Sequence, residues 1–330
     1  MALFSLIVPF LNERENVPAF TTFIEKVAGE LREKFDLDLE VVLVDDGSTD
    51  DSVTRYITSM PGTWRIVELS RNFGKEVAVF AGLEECRGDL VMIMDADMQH
   101  PWTVALDMIS QLMADENLDA VYAVRDDRLQ ESMKKAAAVH LFYWLINFRQ
   151  RFIVPENAGD FRVMRRPVVE AMLKIRDRRR FNKGLYAWAG FRQKAIGYVP
   201  DERQHGATKW SNLSLLSLSL EGITSFSALP LRLVSIIGAL VGICGIFYGL
   251  KIVFEVLFYG VSVPGYPSLM VAVSVLGGFN LALLGLLGEY IWVGIAETKD
   301  RPLYLVRRVH RSGDSKTLDK AAQSAEKQTP

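Results

Sequence analysis

Two acidic clusters carry the chemistry legible in this chain. In LVMIMDADMQHP, Asp95 and Asp97 follow five apolar residues, and on an extended backbone side chains two positions apart project to one side. Two hard oxygen ligands so placed suit a divalent cation that bridges a diphosphate. In VVLVDDGSTDDS, Asp45 and Asp46 end another apolar run, with Gly47 permitting a turn and Asp50 near the next helix start. A turn with a helix N-cap would use only one of these carboxylates. A turn is also the alternative for Asp95 and Asp97, and the position at a strand end favours the metal. No G-x-G-x-x-G follows the first apolar run and no G-x-x-x-x-G-K-[ST] occurs, which argues against a dinucleotide oxidoreductase and a P-loop nucleotidase. The pair Gly74 and Lys75 is not enough for the latter. His100, His140, His205 and His310 lack H-E-x-x-H spacing and no G-x-S-x-G is present, so zincin and serine-hydrolase chemistry are disfavoured.

The elements that position these residues follow from hydrophobic periodicity. Leu3 to Val8 reads as a strand, Asn16 to Phe35 as a helix and Leu39 to Val44 as a second strand, a βαβ pattern. The alternation continues with a helix near Asp51 to Met60, a strand near Trp64 to Leu69, a helix near Lys75 to Cys86, a strand from Leu90 to Met94, a helix after Pro101 and a strand from Ala120 to Val124. Such alternation predicts an α/β fold with a mostly parallel sheet and helices on both faces. Ligands of such sheets sit beyond the carboxyl ends of the strands. There the sequence places Pro9 and Glu13, Asp45 and Asp46, Asp95 and Asp97, and Arg125.

The 330 residues carry 38 basic and 40 acidic side chains, a net charge of −2, which gives no electrostatic reason to expect a nucleic-acid partner. Cys86 and Cys244 are the only cysteines, so neither a disulfide scaffold nor a cysteine zinc site is expected. The start, MALFSLIVPFLNERE, lacks the basic region and cleavage site of a secretory signal. Mean hydropathy is only +0.13, but the apolar excess lies mostly after Leu213. An uncharged run from Leu233 to Leu250 and another between Glu255 and Glu289 predict two transmembrane helices, about 233–255 and 267–290 within 230–296. Lys209, Arg232, Arg301, Arg307, Arg308 and Arg311 flank the outer ends, which places both termini in the cytosol of a multi-pass inner-membrane protein. Residues 131–151 and 211–229 read as amphipathic helices lying on membrane lipids. Residues 1–210 then form a cytosolic catalytic domain, and 297–330 a basic segment with a disordered tail. Glycines spaced along the spans, Gly238, Gly242, Gly245 and Gly249 among them, suit close helix packing and a homo-oligomer, a dimer or a tetramer.

The segments IVPFLNERENV, VLVDDGSTDDS, SRNFGKEVAVFAGLEECRGDLVMIMDADMQHP, GDFRVMRRPV and ERQHGATKWS together resemble the membrane-bound polyisoprenyl-phosphate glycosyltransferases of glycosyltransferase family 2. The likeness runs in order to about Val309 and is greatest to the bacterial undecaprenyl-phosphate, or bactoprenol, branch. It implies a GT-A fold, a UDP-sugar donor, Mg²⁺ or Mn²⁺, and undecaprenyl phosphate as acceptor. It puts Pro9, Asn12 and Glu13 in the donor pocket, Asp45 and Asp46 against the uridine, and Asp95, Asp97 and Gln99 at the metal and diphosphate. Arg125 and Arg128 match basic residues near phosphate groups, Asp160 an acidic residue near the acceptor, and Arg203 and Lys209 a segment that contacts phosphates. GATKW stands where G-x-S-K is usual, so Thr208 replaces a serine hydroxyl.

The implied reaction is an inverting sugar transfer giving a lipid-monophosphate-linked sugar, with glucose as the first guess, for cell-envelope glycan or lipid A modification. Asp97, Asp160 and Arg125 are its expected catalytic residues. A phosphate monoester, with a second pKa of about 6, is mostly dianionic at pH 7 and is already a nucleophile. Asp160 is therefore expected to organise an arginine or the sugar in preference to accepting a proton. A processive polysaccharide synthase is the rival enzyme, but no Q-x-x-R-W motif is present. A non-catalytic membrane scaffold or lipid-translocation component is the rival of another class.

Overall fold

The computed structural model describes residues 2–125, 151–156, 158–178, 180–200, 265–299 and 301–313, with separated positions between 139 and 148 and between 231 and 258. The chain divides into two compact units: Met1–Tyr143 with Arg151–Trp210 and Arg301–Pro330, and Trp144–Gln150 with Ser211–Asp300.

The first unit is built on one eight-stranded sheet in the order β7-β5-β6-β4-β1-β2-β3-β8. Its strands are β1 (Ala2–Phe10), β2 (Leu37–Asp45), β3 (Thr63–Leu69), β4 (Leu90–Ile93), β5 (Ala120–Arg125), β6 (Ala158–Arg165), β7 (Gln193–Tyr198) and β8 (Val306–Arg311). β1, β2 and β4 are buried along most of their length, as central strands covered on both faces are. The helices of this unit are α1 (Val17–Phe35), α2 (Ser52–Ser59), α3 (Lys75–Glu85), α4 (Trp102–Ala114), α5 (Arg166–Lys174) and α6 (Asn182–Trp188). α1 buries Val17, Phe20, Ile24, Val27 and Leu31, the three-and-four spacing of a single helical face. α3 buries every residue from Val77 to Leu83, so its packing leaves only its ends for chemistry.

The expectation of a mostly parallel sheet needs correction. β1 pairs in parallel with β2 and β4, β2 with β3, and β5 with β7, whereas β6 runs antiparallel to both β4 and β5 and β8 antiparallel to β3. The sheet is mixed because β6 enters between β4 and β5 in reverse. The sequence reading places no strand at β6, β7 or β8. β8 lies in the basic segment that precedes the tail; its Val306 and Val309 pair with Leu69 and Val67 at the sheet edge.

The expectation of two transmembrane helices is also overturned, and with it the multi-pass inner-membrane localisation. Among the described residues no helix is long and apolar enough to cross a membrane. Of the first expected span only separated positions are described. In the second, α7 (Tyr266–Thr298) is a helix. Residues 211–229 and most of 131–151 lie outside the described residues.

Candidate active site

β1 has β2 on one side and β4 on the other, and the chain fills β2 and β3 before crossing back to β4. The crevice beyond the carboxyl ends of β1 and β4 is thus a topological switch point, where open α/β sheets bind ligands. Four segments meet there: the turn after β1, the turn after β2, the start of α3 and the turn after β4.

The first two are tied to each other by side chains. Asn12, left-handed with φ 57°, accepts the Thr49 N–H on Oδ1 at 2.8 Å while its own N–H donates to Ser48 Oγ at 2.9 Å. The Glu13 N–H donates to Ser52 Oγ, and its carboxylate accepts Asn16 Nδ2 at 2.6 Å. Pro9 lies within β1, in register with Val44. Asp45 closes the turn after β2 by accepting the Ser48 N–H at 2.9 Å. Gly47 has φ 79°, and a side chain there would meet the backbone of Arg71 and Asn72 at 2.6 Å. Asp46 reaches across to the loop before α3, accepting the Phe73 N–H at 2.7 Å and the Gly74 N–H at 3.0 Å. Burial raises the pKa of both carboxyls, against the hydrogen bonds that favour their charge.

β4 stops at Ile93, so Asp95 and Asp97 do not share an extended backbone. Met98 takes φ 60°, and Asp97 accepts the Gln99 N–H at 3.2 Å inside the turn. Asp95 instead faces α3. Lys75 Nζ lies 2.6 Å from its Oδ1 and 2.8 Å from its Oδ2, and 3.4 Å from Asp160 Oδ2. Asp160 arrives there through the reversed strand. Leu90 faces Arg165 and Ile93 faces Arg162, and the same register two residues on sets Asp95 against Asp160. Burial opposes the charge of Lys75, but Asp95 and Asp160 outweigh it and hold the ammonium above the ordinary lysine value. Burial likewise opposes the charge of Asp95 and Asp160, and Lys75 pulls both below the usual carboxylate range. With 43% of the Lys75 side chain open, water screens part of this attraction.

A second ring of groups surrounds the cluster. The His100 ring stacks on Phe161 with centroids 4.3 Å apart, and its Nδ1 accepts the Asp95 N–H at 3.3 Å. Burial depresses its pKa against the pull of Asp95 and Asp97, so it serves as a neutral acceptor. Glu76 accepts the Asn182 N–H at 3.0 Å, and burial together with the Asp160 charge pushes it up to about 7. Arg162 is buried, stacked 3.6 Å over the Tyr186 ring and donating to the Gly159 carbonyl at 3.0 Å.

Of the residues expected from sequence, the structure thus joins Asp95 to Asp160 and ties Asn12 and Glu13 to the turn after Asp45. Arg125 ends β5, whose Val124 faces Ala158, so it lies at the same end of the sheet as Asp160. Arg128, Arg203, Lys209 and Thr208 lie outside the described residues. Lys75, Glu76, His100, Arg162 and Asn182 were missed. The signal for Lys75 was present in the pair with Gly74, which is no fragment of a phosphate loop. It is a left-handed glycine, φ 98°, placing the first residue of α3.

Among the described residues no group of three or more His, Cys, Asp or Glu is placed to hold a metal. The donor set still fits Mg²⁺ or Mn²⁺. Such ions are commonly bound by one or two carboxylates with substrate phosphates supplying further oxygens, and Asp160 Oδ1 is buried with no hydrogen-bond partner. Asp95 and Asp97 are the pair of carboxylates that could hold one, with Asp160 across Lys75 from Asp95.

The family model described as glycosyl transferase family 2 matches residues 5–173. The prophage bactoprenol glucosyl transferase homolog of Escherichia coli is 38% identical over 309 residues, covering 93% of this chain and 99% of that protein. The bactoprenol glucosyl transferase of Shigella phage SfII is 38% identical over 309 residues, with coverages of 93% and 98%. A solved structure of Mycobacterium tuberculosis glucosyl-3-phosphoglycerate synthase, in complex with Mn²⁺, UDP-glucose and phosphoglyceric acid, is 20% identical. It covers 68% of this chain and 78% of that one with a TM-score of 0.40.

Proposed function

The chain belongs to glycosyl transferase family 2, and from that premise we propose that it transfers glucose from UDP-glucose to a polyprenyl phosphate such as undecaprenyl phosphate. The observation that carries this reading is the meeting of Asp95, Lys75 and Asp160 at the switch-point crevice, beside residues suited to a nucleotide. Pro9, Asn12, Glu13 and Asp45 line the donor side. Both oxygens of Asp46 accept backbone N–H groups, so it shapes the pocket by holding the loop before α3.

A divalent cation on Asp95 and Asp97, with Gln99 beside them, would neutralise charge that builds on the departing diphosphate. The acceptor phosphate needs no base, because its oxygen is already anionic at pH 7. Asp160, whose pKa lies below the usual range beside Lys75, is an orienting group. Arg125, at the same end of the sheet, supplies positive charge toward the phosphates. Attack of the acceptor oxygen from the face opposite the leaving diphosphate inverts the anomeric centre, giving a β-linked product from an α-linked donor.

The test is incubation of the detergent-purified full chain with undecaprenyl phosphate, Mg²⁺ or Mn²⁺ and radiolabelled UDP-sugars, followed by counting of the organic phase. Label from UDP-glucose, lost on adding EDTA and in Asp97→Ala, is the expected result. Transfer from a different donor would correct the sugar, and no organic-phase label from any donor would overturn the reading.

A further inference from the structure

The Lys75 ammonium sits on the carboxylate that the proposed divalent cation requires. Its Nζ spans both oxygens of Asp95, at 2.6 and 2.8 Å, and lies 3.4 Å from Asp160. This position is set by a chain of fixed contacts. Asp46 clamps the Phe73 and Gly74 N–H groups, Gly74 turns the backbone at φ 98°, and Lys75 opens α3. The side chain itself is not locked. It is 43% exposed, and a lysine ammonium is a compact charge on a flexible four-carbon stem. Two cations cannot share one carboxylate without strong mutual repulsion.

We propose that Lys75 is an exchangeable internal cation. It competes with the divalent metal for Asp95, and when the metal takes that carboxylate the ammonium is released to the phosphate oxygens of the donor. Lys75 thereby couples metal entry to donor binding as a positioning residue. The proposal rests on the reading of Asp95 as a metal ligand given above.

Mn²⁺ binding to the full chain, followed by the electron paramagnetic resonance of the free ion with and without UDP, tests it. Without UDP, Lys75→Gln should bind Mn²⁺ about tenfold more tightly than wild type, a coupling of ordinary size. Lys75→Arg, which keeps the charge, should not gain. UDP should then strengthen Mn²⁺ binding in wild type more than in Lys75→Gln. Equal or weaker Mn²⁺ binding by Lys75→Gln overturns the proposal while leaving the metal reading intact. No Mn²⁺ binding by any protein, with or without UDP, overturns both. Should Lys75→Gln fail to fold, ¹⁵N spectra of the wild-type lysine ammonium groups decide. The Lys75 Nζ signal, identified by its loss in Lys75→Arg, should move on adding Mg²⁺ with UDP. A stationary signal while Mg²⁺ is bound overturns the exchange.

Discussion

Two charged clusters sit on opposite ends of the same sheet, and they differ in the cation at their centre. At the amino ends of the strands Arg65 donates to the Glu85 carboxylate at 2.8 Å and its backbone carbonyl at 2.6 Å, and lies 3.9 Å from Glu40. Glu40 in turn accepts the Ser5 hydroxyl at 2.7 Å and the Arg87 N–H at 3.0 Å. Arg65 and Glu40 are almost fully enclosed, at 8% and 6% exposure; Arg65 Nε alone lacks a partner in this network. At the carboxyl ends Lys75 faces Asp95 and Asp160 with nearly half its surface in water. An arginine fork held by fixed backbone groups is a permanent tie, whereas a lysine on a mobile stem is a removable one. The same attraction between opposite charges therefore fastens the sheet at one end and leaves the other end ready to exchange its cation.

Breaking the closed cluster should have the largest effect on the fold. Glu40→Ala leaves the buried Ser5 hydroxyl and the Arg87 N–H without their acceptor and Arg65 with Glu85 as its one carboxylate partner, and should cost about 3 kcal/mol of stability, read by denaturant titration, while the protein that remains folded keeps its activity per molecule. At the open cluster the outcome reverses. Asp95→Asn should lower kcat about 10²–10³-fold in the transfer assay, with a thermal midpoint close to wild type because the pair it breaks is partly solvated. A stability loss as large as that of Glu40→Ala would erase the distinction between the two ends.

Smaller changes sharpen the same comparison. Gly47→Ala forces an alanine into φ 79° against the backbone of Arg71 and Asn72, and should cost about 1–3 kcal/mol. Because that backbone leads into Lys75, donor binding should weaken as well, visible as a raised KM for UDP-sugar. The last effect concerns pH. Burial raises Glu76 to about 7, so the stability it confers is complete below its unfolded pKa of about 4.5 and is lost as pH rises through 7. Thermal melts across that window should show a decline in wild type that Glu76→Gln flattens; an unchanged slope would mean that Glu76 ionises normally beside Asp160.

Where a feature depends on neighbours in sequence, it was legible without coordinates. The apolar runs at Leu3 to Val8 and Leu39 to Val44 became β1 and β2, the Val17 to Leu31 stripe became the buried face of α1, and the acidic residues after β2 and β4 fell at the carboxyl end of the sheet. Local pattern encodes strand and helix because side-chain periodicity is a property of the backbone itself. The apolar C-terminal runs show how far composition reaches: they indicate helix at α7 without establishing a membrane span. Likewise, the turn at Asp97 and Met98 is hidden in the sequence, where Asp95 and Asp97 read as sharing one extended backbone.

The sequence alone determined the α/β alternation, the carboxylates at the strand ends and a likeness to one family of glycosyltransferases. Only the tertiary structure decided which groups face each other. Asp160 lies 65 positions after Asp95 in the chain, and it reaches Asp95 because β6 inserts antiparallel against β4. Lys75 reaches both because Asp46 holds the loop that begins α3. Strand order and direction are settled by the packing of whole elements against one another, and no spacing within a single element encodes them.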